Sequence, residues 1–397
     1  MIRLFSRVWI FIIFLSCANK QQTTPALIKK TDTEILKVES SLKRQQLQQT
    51  PVINSVSVVA VGDIMLGNHT TQYIRNHGAE YPFSATSSIL RSGDITMGNL
   101  EGPFVTSGTP FDKKFTFKVP PDLASSLPFA GFDVMTLANN HILDYGIDGL
   151  TETIAVLDSL NIAHCGAGLD EHAASEPAIL ERNGLRIAVF GYSMTFPDEF
   201  WATKKSEGTC FPYQRILART IPHYDSTCDI VVANFHWGRE LKNVPRDYQK
   251  QMAHKAIDLG ADLIIGHHPH VLQGMEIYKN RLIAYSLGNF AFASYSRRAT
   301  ESVILKAYLT KDGLLFARVI PINVNNYEIE FQPTPLSGEK ANQVISHLND
   351  YSASLDSGIA FDNSGFVWGN LLTCFDSSAL IDSSKFSATK GKTFFRK

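Results

Sequence analysis

The chain carries almost no net charge: 37 basic residues stand against 38 acidic ones, a balance of −1. No basic excess marks a nucleic-acid or anionic-membrane footprint, so no nucleic-acid partner is expected. Cysteine is scarce, with 5 in 397 residues. None has CxxC spacing, which argues against a zinc–thiolate site. The apolar run near the N terminus, Val8 to Leu15, is far shorter than the roughly 20 residues a spanning helix needs. What is present is 44% hydrophobic and 19% charged, the balance of a soluble globular protein with a full core. The length holds two average domains, or one large α/β domain with additions. The 12 histidines matter where they cluster, and several do.

The first segment reads as an export signal. Arg3 and Arg7 precede the short apolar run, and Leu15-Ser16-Cys17-Ala18 follows it. A cysteine just after Leu-Ser resembles the lipobox of bacterial lipoproteins, so residues 1–17 are expected to end at an acylated Cys17. The alternatives are ordinary signal cleavage near Ala18 or an uncleaved anchor. The expected location is the cell envelope, lipid-anchored to the membrane on its periplasmic or extracellular side. There a disulfide is permitted, and Cys210 with Cys228 is the pair to examine first, against unpaired buried cysteine. Residues 18–54, rich in Gln, Thr, Lys and Ser, read as a flexible tether, with a short helix possible around Thr33 to Gln48.

Beyond the tether a pattern repeats. Val56 to Val61 ends at Gly62-Asp63, and Asp94 to Met97 ends at Gly98-Asn99-Leu100-Glu101. Asp133 to Leu137 ends at Ala138-Asn139-Asn140-His141. Ile230 to Ala233 ends at Asn234-Phe235-His236-Trp237-Gly238, and Leu263 to Ile265 at Gly266-His267-His268-Pro269-His270. Each strand-like run delivers polar side chains at its C-terminal end. Helical periodicity lies between them, over Gly149 to Leu160 and Asp247 to Leu259, the latter stopped by Gly260. Strands alternating with helices predict an α/β fold, a layered β-sandwich with flanking helices, in which ligands sit at the carboxyl ends of strands. After Leu272 successive strands (Gly274–Tyr278, Leu282–Ser286, Ser302–Leu309, Leu314–Ile320, Tyr327–Phe331) suggest a second sheet or second half of the sandwich. The main domain is drawn over 55–335, with a C-terminal helix over Lys340 to Tyr351 and an irregular extension making up 336–397.

Packing alone does not ask for Asp, Glu, Asn and His at the ends of five strands. Two divalent cations about 3.5–4 Å apart need such ligands, one of them shared, to assist a displacement at phosphorus. Asp63, Glu101, Asn140, His236, His268 and His270 match that list, and His141 beside Asn140 suits a general acid. In an extended His268-Pro269-His270 segment both imidazoles would face one pocket.

Gly62-Asp63-Ile64-Met65-Leu66-Gly67, Asn99-Leu100-Glu101-Gly102, Ala138-Asn139-Asn140-His141, Asp144-Tyr145-Gly146, His236-Trp237-Gly238, Gly266-His267-His268-Pro269-His270 and Ser286-Leu287-Gly288-Asn289-Phe290 resemble, in order, the motifs of the CapA family of poly-gamma-glutamate capsule biosynthesis proteins. The resemblance covers roughly Val56 to Ile320, and the family's domain is similar to calcineurin-like metallophosphatases. It implies a metallophosphoesterase-like fold with two divalent metal ions, of which Mn, Fe and Zn suit His with carboxylate. It further implies Asp63 and His270 at the first metal, Glu101 bridging, and Asn140, His236 and His268 at the second, with His141 as catalytic acid. Three departures stand out: Met65 where metallophosphatases place His, Glu101 where Asp is commoner, and Asn68 where Arg is frequent.

Around that set, Asp144 is expected to orient His141. His267 faces substrate, supports a ligand or is structural, and Asn289 contacts substrate or anchors its loop. Asn139 is expected to cap its turn. Arg239 and Lys242 either bind an anionic substrate or form a solvated face. Two functions compete. One is a metal-dependent hydrolase acting on a phosphoester, or on an amide or ester of a cell-envelope polymer, in the setting of capsule production and a capsule synthase complex. The other is a non-catalytic assembly protein that holds an anionic polymer through its metal site. Met65 favours the second, and the Asn140-His141 pair favours the first. A third reading is an envelope scaffold with a fossil site, which the full set of motifs argues against.

Overall fold

A computed structural model describes residues 54–369. Cys17 with its export segment, the tether with its expected helix, Cys374 and the rest of 370–397 lie outside the described residues.

In chain order the strands are β1 Val56–Met65, β2 Ile95–Leu100, β3 Val134–Thr136, β4 Ala163–Cys165, β5 Ala167–Gly168, β6 Ala178–Arg182, β7 Leu185–Ser193, β8 Gly208–Thr209 and β9 Ile230–His236. They continue as β10 Leu263–His267, β11 Met275–Tyr278, β12 Arg281–Ala284, β13 Asn289–Phe292, β14 Glu301–Thr310, β15 Gly313–Asn323, β16 Thr334–Pro335 and β17 Phe366–Trp368. One sheet runs β16-β15-β14-β1-β2-β3-β4, with β13 along the end of β1 and β17 on β15. The second runs β11-β12-β10-β9-β7-β6, and β5 pairs with β8 apart from both.

The strands that carry the motifs are parallel and buried on both faces, as their unbroken apolar runs require. Alternation decides what each face meets. Val56, Val58 and Ala60 of β1 join Val189, Val232 and Ile265 of the other sheet in one core. Val59 and Val61 turn the other way, onto Leu150 and Leu157 of the helix Gly146–Ser159. On the far side Val231, Ala233 and Phe235 of β9 meet Ile216, Ile221, Ala253 and Ile257 of two more helices. The result is a helix–sheet–sheet–helix stack, the layered α/β architecture expected. Each fully buried Val, Ile or Leu contributes about 1.5–3 kcal/mol.

Several expectations are corrected. The strands after Leu272 do not form a sheet of their own. β14 pairs antiparallel with β1 over Val56–Ala60, and β12 pairs parallel with β10, because their apolar faces extend cores already begun. Tyr327–Phe331 is no strand. Asn325 caps a short helix there by accepting from Tyr327 N, and Glu330 and Phe331 then turn left-handed at φ 50° and 66°. β6 and β7 went unforeseen, since β7 ends at Ser193 with no ligand to flag it. The helix expected over Lys340 to Tyr351 is present as Gly338–Ala353, and its Val344, Ile345 and Leu348 lie in the core between the sheets. Cys165, Cys210 and Cys228 are free thiols, so the Cys210–Cys228 pair does not form. Burial pushes the Cys165 thiol up to about 12.

Candidate metal centre

The carboxyl ends of the parallel strands meet at one edge, and register fixes what arrives there. Asp63 lies opposite Asn99 on β2 and Asn289 on β13, and His236 lies opposite His267 in the other sheet. A break in register between Ala60 and Asp63 aims the aspartate. Gly62 permits it: a Cβ there would lie 1.8 Å from Gly288 O, the atom that accepts the Asp63 amide at 3.1 Å.

Amides wire the first-sheet side together. Asn99 Nδ2 donates to Asp63 Oδ1 at 2.9 Å and Glu101 Oε2 at 3.3 Å, and its Oδ1 accepts from Asn139 Nδ2 at 3.1 Å. Asn139 Oδ1 in turn accepts from His141 N and Ile142 N, the cap its sequence position predicts. Asn140 Oδ1 is 2.8 Å from His236 Nε2.

The histidine loop is not extended. His268 and His270 have φ of 91° and 59°, so a left-handed loop, not strand alternation, brings both imidazoles to the cluster. Such conformations cost free energy and persist where surroundings enforce them. Here His268 N donates to Asp63 Oδ2 at 3.2 Å, and Leu241 N donates to Pro269 O at 2.8 Å. His270 Nδ1 lies 2.9 Å from Asn289 Oδ1 and 3.1 Å from Asp63 Oδ2, so Asn289 orients His270. His267 is buried with Nδ1 3.3 Å from Asp63 Oδ1.

These side chains divide into groups whose ligand atoms lie within 4.8 Å of one another: Asp63, Glu101 and His270 in one, Glu101, His236 and His268 in a second. Glu101 belongs to both. Its Oε1 is buried without a hydrogen-bond partner, as is His268 Nδ1. Around Oε1 stand the Nε2 atoms of His270 at 3.7 Å and of His141 and His236 at 3.9 Å. All are too far for hydrogen bonds, yet those of His270 and His236 suit ligand atoms that share a cation with Glu101 at about 2.0–2.2 Å from each. The donor set, imidazole with carboxylate, fits a divalent transition metal.

Charge points the same way. Burial, reinforced by neighbouring imidazoles, holds His236 well below its ordinary range and His268 down to about 3, which keeps both neutral, the ligating form. Burial drives Glu101 well above the carboxylate range, so the site resists its ionisation unless a cation is near. Burial would raise Asp63 too, but His267 and His270 outweigh it and hold it well below. His270 is the converse. Burial would lower it, yet Glu101 and Asp63 raise it to about 10, so binding a metal ion through His270 would displace a proton.

With this geometry in view the comparisons are specific. The family model described as bacterial capsule synthesis protein, PGA_cap, matches residues 57–294. The capsule biosynthesis protein CapA of Bacillus anthracis is 32% identical over 290 residues, covering 71% of this chain and 70% of that protein. The chain belongs to the capsule synthesis family. The PGA biosynthesis protein CapA of Bacillus subtilis (strain 168) is 33% identical over 291 residues, covering 72% of this chain and 76% of that one. Among solved structures, the NAD nucleotidase of Haemophilus influenzae is similar at a TM-score of 0.41 and 14% identity, over 78% of this chain and 64% of that one.

Within this capsule-family domain, His141 sits under a second set of contacts. Its Nδ1 is 2.8 Å from Asp144 Oδ2, which makes Nδ1 the donor and leaves Nε2 toward Glu101. Asp144 also accepts from Phe117 N at 2.5 Å and pairs with Lys113 Nζ at 2.5 Å. Lys113 donates to Asn140 O as well, and the Phe117 ring stacks on His141 at 3.9 Å. Burial lowers His141, with Asp144 opposing. Sequence reading missed Lys113, Phe117 and Glu240. The first two lie in an irregular loop without periodicity. Glu240, which completes a third group with His268 and His270, follows Gly238-Arg239 in plain view. Asn99 stood in its motif without a role, although it lies two residues before Glu101 at the end of β2, a spacing that puts both on one face. Met65 is buried and its sulfur takes the Gly67 amide at 3.2 Å. Arg239 is exposed and lines the cavity that reaches His268.

Proposed function

We propose that this chain is a metal-dependent hydrolase of the cell envelope that cleaves a linkage in an anionic capsule polymer of the poly-γ-glutamate kind. One observation carries the reading: Glu101, whose buried Oε1 has no hydrogen bond and is faced by three imidazole Nε2 atoms, belongs to both ligand groups. Asp63 and His270 would hold one ion, Asn140, His236 and His268 the other, with Glu101 common to both. When bound, such a pair supplies Lewis-acid polarisation of the scissile group and activates water at neutral pH. As the imidazolium, His141 would give the leaving group its Nε2 proton while Asp144 accepts from Nδ1 and fixes the ring; Lys113 pairs with Asp144 and donates to Asn140 O. Family membership and the names of the Bacillus relatives support the polymer.

The test is turnover of an aryl phosphodiester and of poly-γ-glutamate by the manganese-loaded protein, with metal analysis alongside. His141→Ala should lower turnover by about 10²–10⁴-fold while keeping its metals. Equal turnover in wild type and His141→Ala would remove the acid assignment. A metal-loaded wild type inert on every ester and amide would favour the second reading, a polymer-holding assembly protein that works beside a capsule synthase. Met65, which stands two residues after Asp63 where metallophosphatases place His and whose sulfur takes the Gly67 amide, is what speaks for that second reading.

The proposal includes display at the envelope through an acylated Cys17. Palmitate labelling of cells should mark the wild-type chain and not Cys17→Ala. Equal labelling would return the segment to ordinary signal cleavage.

A further inference from the structure

The surface beside the metal centre carries charge that the centre does not use. Two cavities of about 410 and 530 Å³ share Arg239, Leu241, Lys242 and Arg298 in their walls and so make one trough. One end is bounded by His268 and Glu240, the other by Val244 and Arg246. Since Glu240 groups with His268 and His270, the trough opens directly onto the candidate metal ligands.

Arg239, Lys242, Arg246 and Arg298 are all exposed, and among the described residues none has a carboxylate within the 4.0 Å of an ion pair. In a chain of net charge −1, four unpaired cations along one trough, against the single acid Glu240, are a local concentration of positive potential. The backbone that carries them is fixed. Leu241 is left-handed at φ 57°, its N–H donates to Pro269 O at 2.8 Å, and Arg298 Nη2 donates to its carbonyl at 2.9 Å. Gln273 Nε2 holds Lys242 O at 2.8 Å, and Asn243 Nδ2 holds Leu272 O at 2.9 Å. Bonds to Pro269, Leu272, Gln273 and Arg298 fix the backbone of this loop beside the histidine loop.

A small anion would meet one or two of these cations. An elongated trough with cations along its length suits a chain bearing an anion at intervals, and guanidinium forks suit carboxylates. We infer that the trough is a subsite for successive carboxylates of an extended polyanion, which it threads toward the metal centre. This rests on the reading of the chain as acting on an anionic polymer, and it assigns the residues that would grip that polymer.

The experiment is fluorescence anisotropy of the full chain with labelled poly-γ-glutamate, with unlabelled poly-γ-glutamate, polyphosphate and neutral dextran as competitors. The Lys242→Glu/Arg246→Glu pair should weaken binding at least tenfold and flatten its salt dependence, with metal content as in wild type. The charge- and fork-keeping variant Lys242→Arg should bind at least as tightly as wild type, and an unchanged thermal melt of the reversed-charge pair separates charge from a folding defect. Wild-type affinity in the reversed-charge pair would overturn the subsite. Stronger displacement by polyphosphate than by poly-γ-glutamate at equal charge would overturn the carboxylate assignment. Failure of the metal-dependent reading is seen elsewhere, as a wild-type protein without metal, and would leave these binding results standing.

Discussion

The two sheets bring different things to the same edge. The first supplies Asp63, Asn99, Glu101 and Asn139, which hold one another through side-chain amides. The second supplies imidazoles, and two of them arrive beyond its strands on a left-handed loop, with His268 Nδ1 left without a partner. The first half, Glu101 Oε1 apart, is held together by folding, whereas the second is arranged for something it does not itself contain. A buried imidazole kept neutral and an unpaired carboxylate oxygen beside it are costly alone and make sense together as ligands.

That contrast can be broken most forcefully at Asp63. It accepts from Asn99 and His268 N and pairs with His270, so Asp63→Asn should abolish metal binding and also lower the Tm of the metal-free protein. His268→Ala should lose metal as well, yet leave the metal-free Tm close to wild type. If both variants lowered the metal-free Tm equally, the halves would not differ as argued. Asn99→Ala should be milder, costing about 10–100-fold in metal affinity, because its amide orients two ligands without being one. Isothermal titration with manganese reads that loss, and an unchanged affinity would remove Asn99 from the account.

A smaller effect concerns pH. Glu101 sits well above its ordinary range because burial disfavours its charge. A carboxyl raised in the folded state stabilises at low pH and costs stability as pH rises from its unfolded value toward its folded one. Glu101→Gln should therefore raise the metal-free Tm at neutral pH, and the gap to wild type should close near pH 4. A variant less stable than wild type at neutral pH would contradict this. The smallest effect is at Cys228, free and partly exposed, where Cys228→Ser should change stability by less than about 0.5 kcal/mol. A larger loss in denaturant melts would mean the thiol is engaged after all.

Much of the first half was legible because strands have a strict period of two. Once Val56–Met65 and Ile95–Leu100 are recognised as buried strands, their polar ends must face a common edge. The histidine loop was legible in composition but not in shape: Pro269 suggested an extended path, while contacts from Asp63 and Leu241, remote in sequence, hold it left-handed. Lys113 and Phe117 were not legible, since only tertiary packing carries their loop over His141. Nor was the division of the later strands between two sheets, because alternation tells which residues are buried without telling which neighbour buries them.

The central proposal is that Glu101 would serve two ions at once. Metal analysis of the purified chain and of Glu101→Gln, each loaded with manganese and freed of excess, tests it most directly. The account predicts about two ions per wild-type chain and fewer than about one in the variant. One ion or none in wild type, or two retained in Glu101→Gln, would contradict it.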